Sequence, residues 1–158
     1  MLYFWMTLAA CAMVAVDQLS KYLVTVHIPY GGVVPVLNGV FHLTYVRNTG
    51  AAFSMFSGQR WFFLLVTFAF LIFLGFAIYK RWFVHPLAGW AMTFLTGGAI
   101  GNLIDRILTG SVVDMFELEF MRFAIFNFAD LFVTAGAIMF CLWVLFFDRG
   151  KKERELTS

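Results

Sequence analysis

The sequence predicts an all-α membrane bundle of four transmembrane helices with a small extramembrane β-sheet on its outward side. Three observations predict it. Of 158 residues, 62% are hydrophobic and only 13% charged, against roughly 45–50% and about 25% in a soluble domain. Four windows reach the roughly 20 predominantly apolar residues that span a bilayer, at about 2–23, 61–79, 87–108 and 127–147. Between the first two windows, Asn38-Gly39 is a hairpin signal followed by a run of alternating character.

In chain order, the first window carries Asp17 and Lys21. It lacks a basic leading region and a small-x-small cleavage site, so it is expected to be a retained helix and not a cleaved leader. The connection at about 24–60 holds the hairpin: residues 40–46 alternate Val, His, Thr, Val against Phe, Leu, Tyr, and Pro35 before the turn marks an edge strand. The second window ends at Lys80 and Arg81, which sit in the short 80–86 loop. The third window, 87–108, is glycine-bearing toward its middle and polar at its far end. The connection at about 109–126 sets Asp114, Glu117 and Glu119 among apolar neighbours and is a candidate for further strands. The fourth window leads to a basic tail at 148–158 with Arg149, Lys151, Lys152 and Arg154. Basic residues therefore crowd the 80–86 loop and the tail, which places both termini in the cytoplasm and the two longer connections outside.

Several classes are excluded by composition. A formal charge of +2 is too small to suggest nucleic-acid binding. Cys11 and Cys141 lie far apart in apolar runs and are expected to be buried thiols, neither a disulfide nor metal ligands. His27, His42 and His85 are scattered, so no metal site and no cofactor is expected.

With this threading Asp17, Asp105, Asp114 and Asp130 fall near one membrane face. Carboxylates there are costly and mark a candidate functional site. Gly98, Gly101, Asn102, Asp105 and Arg106 share one face of the third helix, and Asn127, Asp130 and Thr134 one face of the fourth. Gly97-x-x-x-Gly101 permits close helix contact. Asp130 lies about 4.5 Å of helical rise inside Asn127, just below the outer interface. Structural readings stand beside these. Asn127-x-x-Asp130 has the form of a capping box. Asp17 and Lys21 are spaced i, i+4 for a salt bridge. Asp105 can pair with Arg106 or another base at a solvated helix end, and Asn48-Thr49-Gly50 can form a turn.

Together the residues suggest chemistry. The outer ends of the third and fourth helices bring Asp114 and Asp130 within reach of each other, with Asn102, Arg106 and Asn127 on neighbouring faces. Two close carboxylates cannot both ionise cheaply, so the pair shares a proton. One member can then activate water while the other polarises a carbonyl and protonates the leaving amine. No serine–histidine or cysteine–histidine arrangement competes with this, so a hydrolase here would be an aspartic one.

Five blocks, DQLSK at 17–21, NTGAAF at 48–53, GGAIGNLIDR at 97–106, GSVVDMF at 110–116 and FNFAD at 126–130, stand in the order seen in bacterial lipoprotein signal peptidase (signal peptidase II). The chain resembles that family over 17–130. The resemblance implies a single membrane peptidase domain over 1–158. It implies an aspartic endopeptidase of the inner membrane that cuts a diacylglyceryl-modified prolipoprotein N-terminal to the lipidated cysteine. By the same resemblance Asp114 and Asp130 are the catalytic pair, and Asn48, Asn102, Arg106 and Asn127 line the substrate site. Asp17 and Asp105 match supporting positions, to which Lys21 and Gly101 are added here. The family's extramembrane β-cradle agrees with the hairpin. With a signal peptide as the implied substrate, its helix is expected to pack on the Gly97, Gly98 and Gly101 face of the third helix. The implied partners are the lipidated substrate and membrane lipid, without an obligate protein partner. The competing readings are a small proton-coupled transporter, which would need polar groups near the midplane, and a non-catalytic assembly factor.

Overall fold

The computed structural model describes residues 1–51 and 55–148. The last two residues of the NTGAAF block, Ala52 and Phe53, and the basic residues of the tail lie outside the described residues. Four helices are long and apolar enough to cross a membrane: α1 Leu2–His27, α2 Arg60–Tyr79, α3 Pro86–Leu108 and α4 Phe128–Trp143, the last running into a π-helical turn, Val144–Asp148. Their outward faces carry large apolar side chains such as Leu65, Ile72 and Phe146, which suit hydrocarbon and not water. α1 outruns its apolar window by a turn, to His27.

Local sequence explains the ends. Pro86 opens α3, where its fixed φ suits the first helical position, and the His85 ring accepts from the Leu87 N–H at 3.2 Å. Asn127 caps α4 in a full capping box: its side chain accepts from the Asp130 N–H at 3.0 Å, and its own N–H donates to Asp130 Oδ2 at 3.2 Å.

α3 is the central helix, packed against α1, α2 and α4. Its small residues allow this. A Cβ on Gly97 would lie 3.1 Å from Met13 Cβ of α1, and one on Gly98 would strike the Ala129 carbonyl of α4. From the α4 side, a Cβ on Gly136 would stand 2.9 Å from the Leu95 nitrogen. The glycine face is thus filled by the protein's own α1 and α4. The expectation that a substrate helix docks there is corrected: backbones approach so closely that no groove is left.

The connections form one antiparallel sheet in the order β1-β2-β3, with β1 Val33–Leu37, β2 Phe41–Asn48 and β3 Val112–Leu118. Gly39, at φ +76°, makes the hairpin turn at the expected Asn38-Gly39. Pro35 lies in β1, an edge strand, beside an irregular register. The long connection after α3 does add its strand, and β3 pairs Asp114 with Val46 and Val112 with Asn48. Tyr45, Val113 and Met115 of the sheet pack against Val24 and Ile28 at the end of α1, fastening it to the bundle.

Cys11 and Cys141 are free but exposed, contrary to the expectation of buried thiols. Cys11 lines an open apolar cavity with residues of α1, α2 and α3, such as Met6, Ile78 and Met92, so its side chain is accessible although it faces its neighbours.

Candidate active site

All four aspartates meet at the sheet end of α3. In β3, burial and then the charge of Asp130 push the Asp114 carboxyl up to about 7, against the opposing pull of Asn48, Asn127 and Lys21. Asp114 is 3% exposed. Its two oxygens accept one N–H each: Asn48 Nδ2 donates to Oδ2 at 3.0 Å, and Asn127 Nδ2 to Oδ1 at 2.7 Å. The first bond follows from register, because Asn48 and Asp114 are diagonal neighbours on one sheet face. Asp130, in the first turn of α4, accepts from Asn102 Nδ2 at 2.8 Å and from the Asn127 backbone. Asn127 therefore touches both carboxylates.

The chemical and structural readings of several residues coexist. Asn48 makes the expected turn, accepting from the Gly50 N–H at 2.9 Å, while its other end serves Asp114. Asn127 is both cap and bridge.

Beneath the pair lies a buried ionic cluster. Lys21 Nζ stands 2.8 Å from Asp17 Oδ2, 2.9 Å from Asp105 Oδ2 and 3.0 Å from Asn102 Oδ1. The i, i+4 pair expected from sequence is present and is joined by Asp105. Of the partners expected for Asp105, Arg106 or another base, it takes another base, and the expectation of a solvated helix end is corrected. Asp105 is buried, and consecutive helix residues point about 100° apart, so it turns to Lys21 on α1. The carboxylates also bind backbone: Asp17 Oδ1 accepts from Ala129, next to Asp130, at 2.9 Å, and Asp105 Oδ2 from Val113, next to Asp114, at 3.1 Å. Each supporting acid thus holds the residue adjacent to one member of the pair, and Lys21 ties the two acids together. Gly101 leaves room for this, since a Cβ there would sit 2.6 Å from Asp17 Oδ2.

Gln18 was not singled out from sequence. Its Nε2 donates to Asp105 Oδ1 at 3.0 Å, to the Gly101 carbonyl at 3.1 Å and to Asp17 Oδ2 at 3.2 Å. An amide inside an apolar span, one residue after an acid, was the signal available for it.

A cavity of about 390 Å³ opens over the pair. Asn48, Asn102, Arg106, Asp114 and Asp130 form its polar wall, and Val112, Phe123, Ile125, Phe126 and Leu131 its apolar one. Arg106 lies 4.8 Å above the Phe63 ring and donates to the Gly50 carbonyl at 3.2 Å. Asn127 is fully buried behind the polar wall. No group of three or more His, Cys, Asp or Glu able to hold a metal occurs among the described residues.

Residues 9–146 match the family described as signal peptidase (SPase) II. The chain is 40% identical to a lipoprotein signal peptidase of Brevibacillus brevis, over 95% of this chain and 99% of that protein. It is 44% identical to a lipoprotein signal peptidase of Streptococcus pyogenes serotype M2, over 86% of this chain and 91% of that one. Two solved structures described as bacterial membrane enzymes superpose with TM-scores of 0.85 and 0.82, each at 34% identity. They cover 89% and 90% of this chain, and 87% and 93% of their own.

Proposed function

The chain belongs to the signal peptidase (SPase) II family, and on that premise we propose that Asp114 and Asp130 are the pair with which it cleaves signal peptides from prolipoproteins. It is a multi-pass bacterial membrane protein and a lipoprotein signal peptidase. The observation that carries the assignment of the pair is that Asn127 bonds both carboxylates, Asp114 through its side-chain NH₂ and Asp130 through its backbone N–H, behind a half-polar, half-apolar cavity.

The reaction needs one proton on the pair, and the raised carboxyl of Asp114 is suited to hold it. The ionised member takes a proton from water, whose oxygen attacks the scissile carbonyl carbon. The protonated member hydrogen-bonds the carbonyl oxygen and then passes its proton to the leaving amine as the C–N bond breaks. The products are a new carboxyl end on the signal peptide and a free amine on the lipoprotein. Asn48, Asn102 and Asn127 hold the carboxyl groups in place, and Arg106 faces the substrate from the polar wall. The apolar wall suits the acyl chains of a diacylglyceryl-modified cysteine, with the cut made N-terminal to that residue.

The whole chain acts as one domain. Basic residues at 80–81 support a cytoplasmic 80–86 loop and cytoplasmic termini, with the sheet and the pair on the outward face of the cytoplasmic membrane. The exposed apolar residues of β1, including Val34, Val36 and Leu37, suit a sheet lying on the lipid surface. The transporter reading is not supported: the family is one of peptidases, and the carboxylates gather at one end of the spans.

The test is cleavage by the purified enzyme of a prolipoprotein with and without its diacylglyceryl group. Only the modified substrate should be cut; equal cutting of both would remove the lipid from the reading. Thiol labelling of single cysteines at 36 and 80 from the two sides of the membrane tests the orientation.

A further inference from the structure

We propose that Lys21 is a positioning residue of the cleavage reaction, acting through Asn102 by fixing which end of that amide faces Asp130. The inference rests on the reading of Asp114 and Asp130 as the reacting pair.

The two ends of an asparagine amide have nearly the same shape and opposite polarity, so hydrogen-bond partners decide between them. Asn102 Oδ1 receives Lys21 Nζ at 3.0 Å and Asn127 Nδ2 at 3.1 Å. An ammonium has three N–H donors and no lone pair. Two of the three reach Asp17 and Asp105, and the third reaches Asn102. Reversing the amide would set its NH₂ against this cation and against a second NH₂, two donor-to-donor contacts in a buried place. The NH₂ is therefore held toward Asp130 Oδ1, to which it donates at 2.8 Å.

The orientation bears on the reaction because a reversed amide offers Asp130 an oxygen. That oxygen accepts only from a protonated carboxyl, so reversal recruits a proton to Asp130 and blocks it as the member that takes a proton from water. Lys21 keeps a donor in place. The charged groups around Asn102 come from every packed element: Asp17 and Lys21 on α1, Asp105 and Arg106 on α3, Asp114 on β3 and Asp130 on α4. Among them only Lys21 donates to Asn102 Oδ1.

The experiment measures kcat and KM across pH for wild type, Lys21→Met, Asn102→Ala and the double variant, each normalised to its folded fraction. Lys21→Met should lower kcat about 10- to 100-fold, the worth of one hydrogen bond to a charged group, with little change in KM. The acid side of its profile should move to higher pH, and the double variant should be no slower than Asn102→Ala. Independent losses that multiply, or a Lys21→Met profile superimposable on wild type, would overturn the proposal. If Lys21→Met fails to fold, the same cycle is run on an Asp105→Asn background, in which Lys21→Met is charge-balanced, with the same outcomes deciding. Asp114→Asn and Asp130→Asn run alongside. Inactive dyad variants beside an unaltered Lys21→Met remove only this inference, whereas active dyad variants remove the dyad reading itself.

Discussion

The amide nitrogen of Asn127 lies 2.7 Å from Asp114 Oδ1 and donates to it, although Asn127 belongs to the cap of α4 and Asp114 to a strand. Its oxygen accepts from the Asp130 N–H at the same time. One side chain thereby sets the distance between the strand-borne and the helix-borne acid, and the two jobs can be separated by substitution. Asn127→Ser keeps a capping oxygen but has no NH₂ to reach Asp114. It should unfold within about 1 kcal/mol of wild type while losing most of its kcat. Asn127→Ala should lose both. Thermal unfolding in detergent, read beside cleavage rates, checks this.

Asp114→Asn and Asp130→Asn should each lower kcat by about 10²–10⁴-fold, the usual contribution of a positioned acid–base group. Folding should survive, because asparagine keeps the size of the side chain and an acceptor oxygen. The measurement is the gel shift of a diacylglyceryl-modified prolipoprotein over time; full activity in either variant would contradict the roles assigned here.

The pH dependence follows from Asp114. A carboxyl pushed up to about 7 by burial and by Asp130 stays protonated below that pH and ionises above it. Activity that needs one shared proton should therefore fall as pH rises through about 7. Asn48 pulls the Asp114 value down through its hydrogen bond, so Asn48→Ala should move this basic limb to higher pH. The kcat profile of the two proteins, recorded in one buffer series, shows the sign.

Helix packing makes a separate prediction. Gly98→Ala drives a methyl into the Ala129 carbonyl, a backbone atom that cannot yield cheaply, and should cost about 1–3 kcal/mol. Gly75→Ala, on α2 with nothing within 4 Å, should be neutral or should gain up to about 1 kcal/mol from helix propensity. Paired thermal melts distinguish them; equal effects would show that α3 and α4 are not in the contact described.

Much of this was legible in the chain. The four spans followed from apolar length, and the hairpin from Asn38-Gly39. The local pairs, Asp17 with Lys21 and Asn127 with Asp130, were visible because helix geometry relates residues three or four apart. Long-range partners were not. Nothing in sequence spacing says that Asp105 turns from its neighbour Arg106 to a lysine 84 positions earlier, or that Asp17 receives the Ala129 N–H. The glycine face showed that something packs closely there but not what: α1 and α4 were as compatible with it as a substrate helix. The cysteines misled because apolar surroundings in sequence do not separate exposed from interior positions. Gln18 escaped notice because a single amide carries no periodic pattern.

The origin of the two acids constrains the life of the nascent enzyme. Asp114 is made before the last span and Asp130 within its first turn, where the Asn127 cap forms only once that turn is helical. A chain with three spans inserted holds Asp114 and its Asn48 partner but neither Asp130 nor the Asn127 cap. On the assignment proposed for the pair, cleavage awaits the threading of the final helix, which brings Asp130 and its cap to the strand-borne acid.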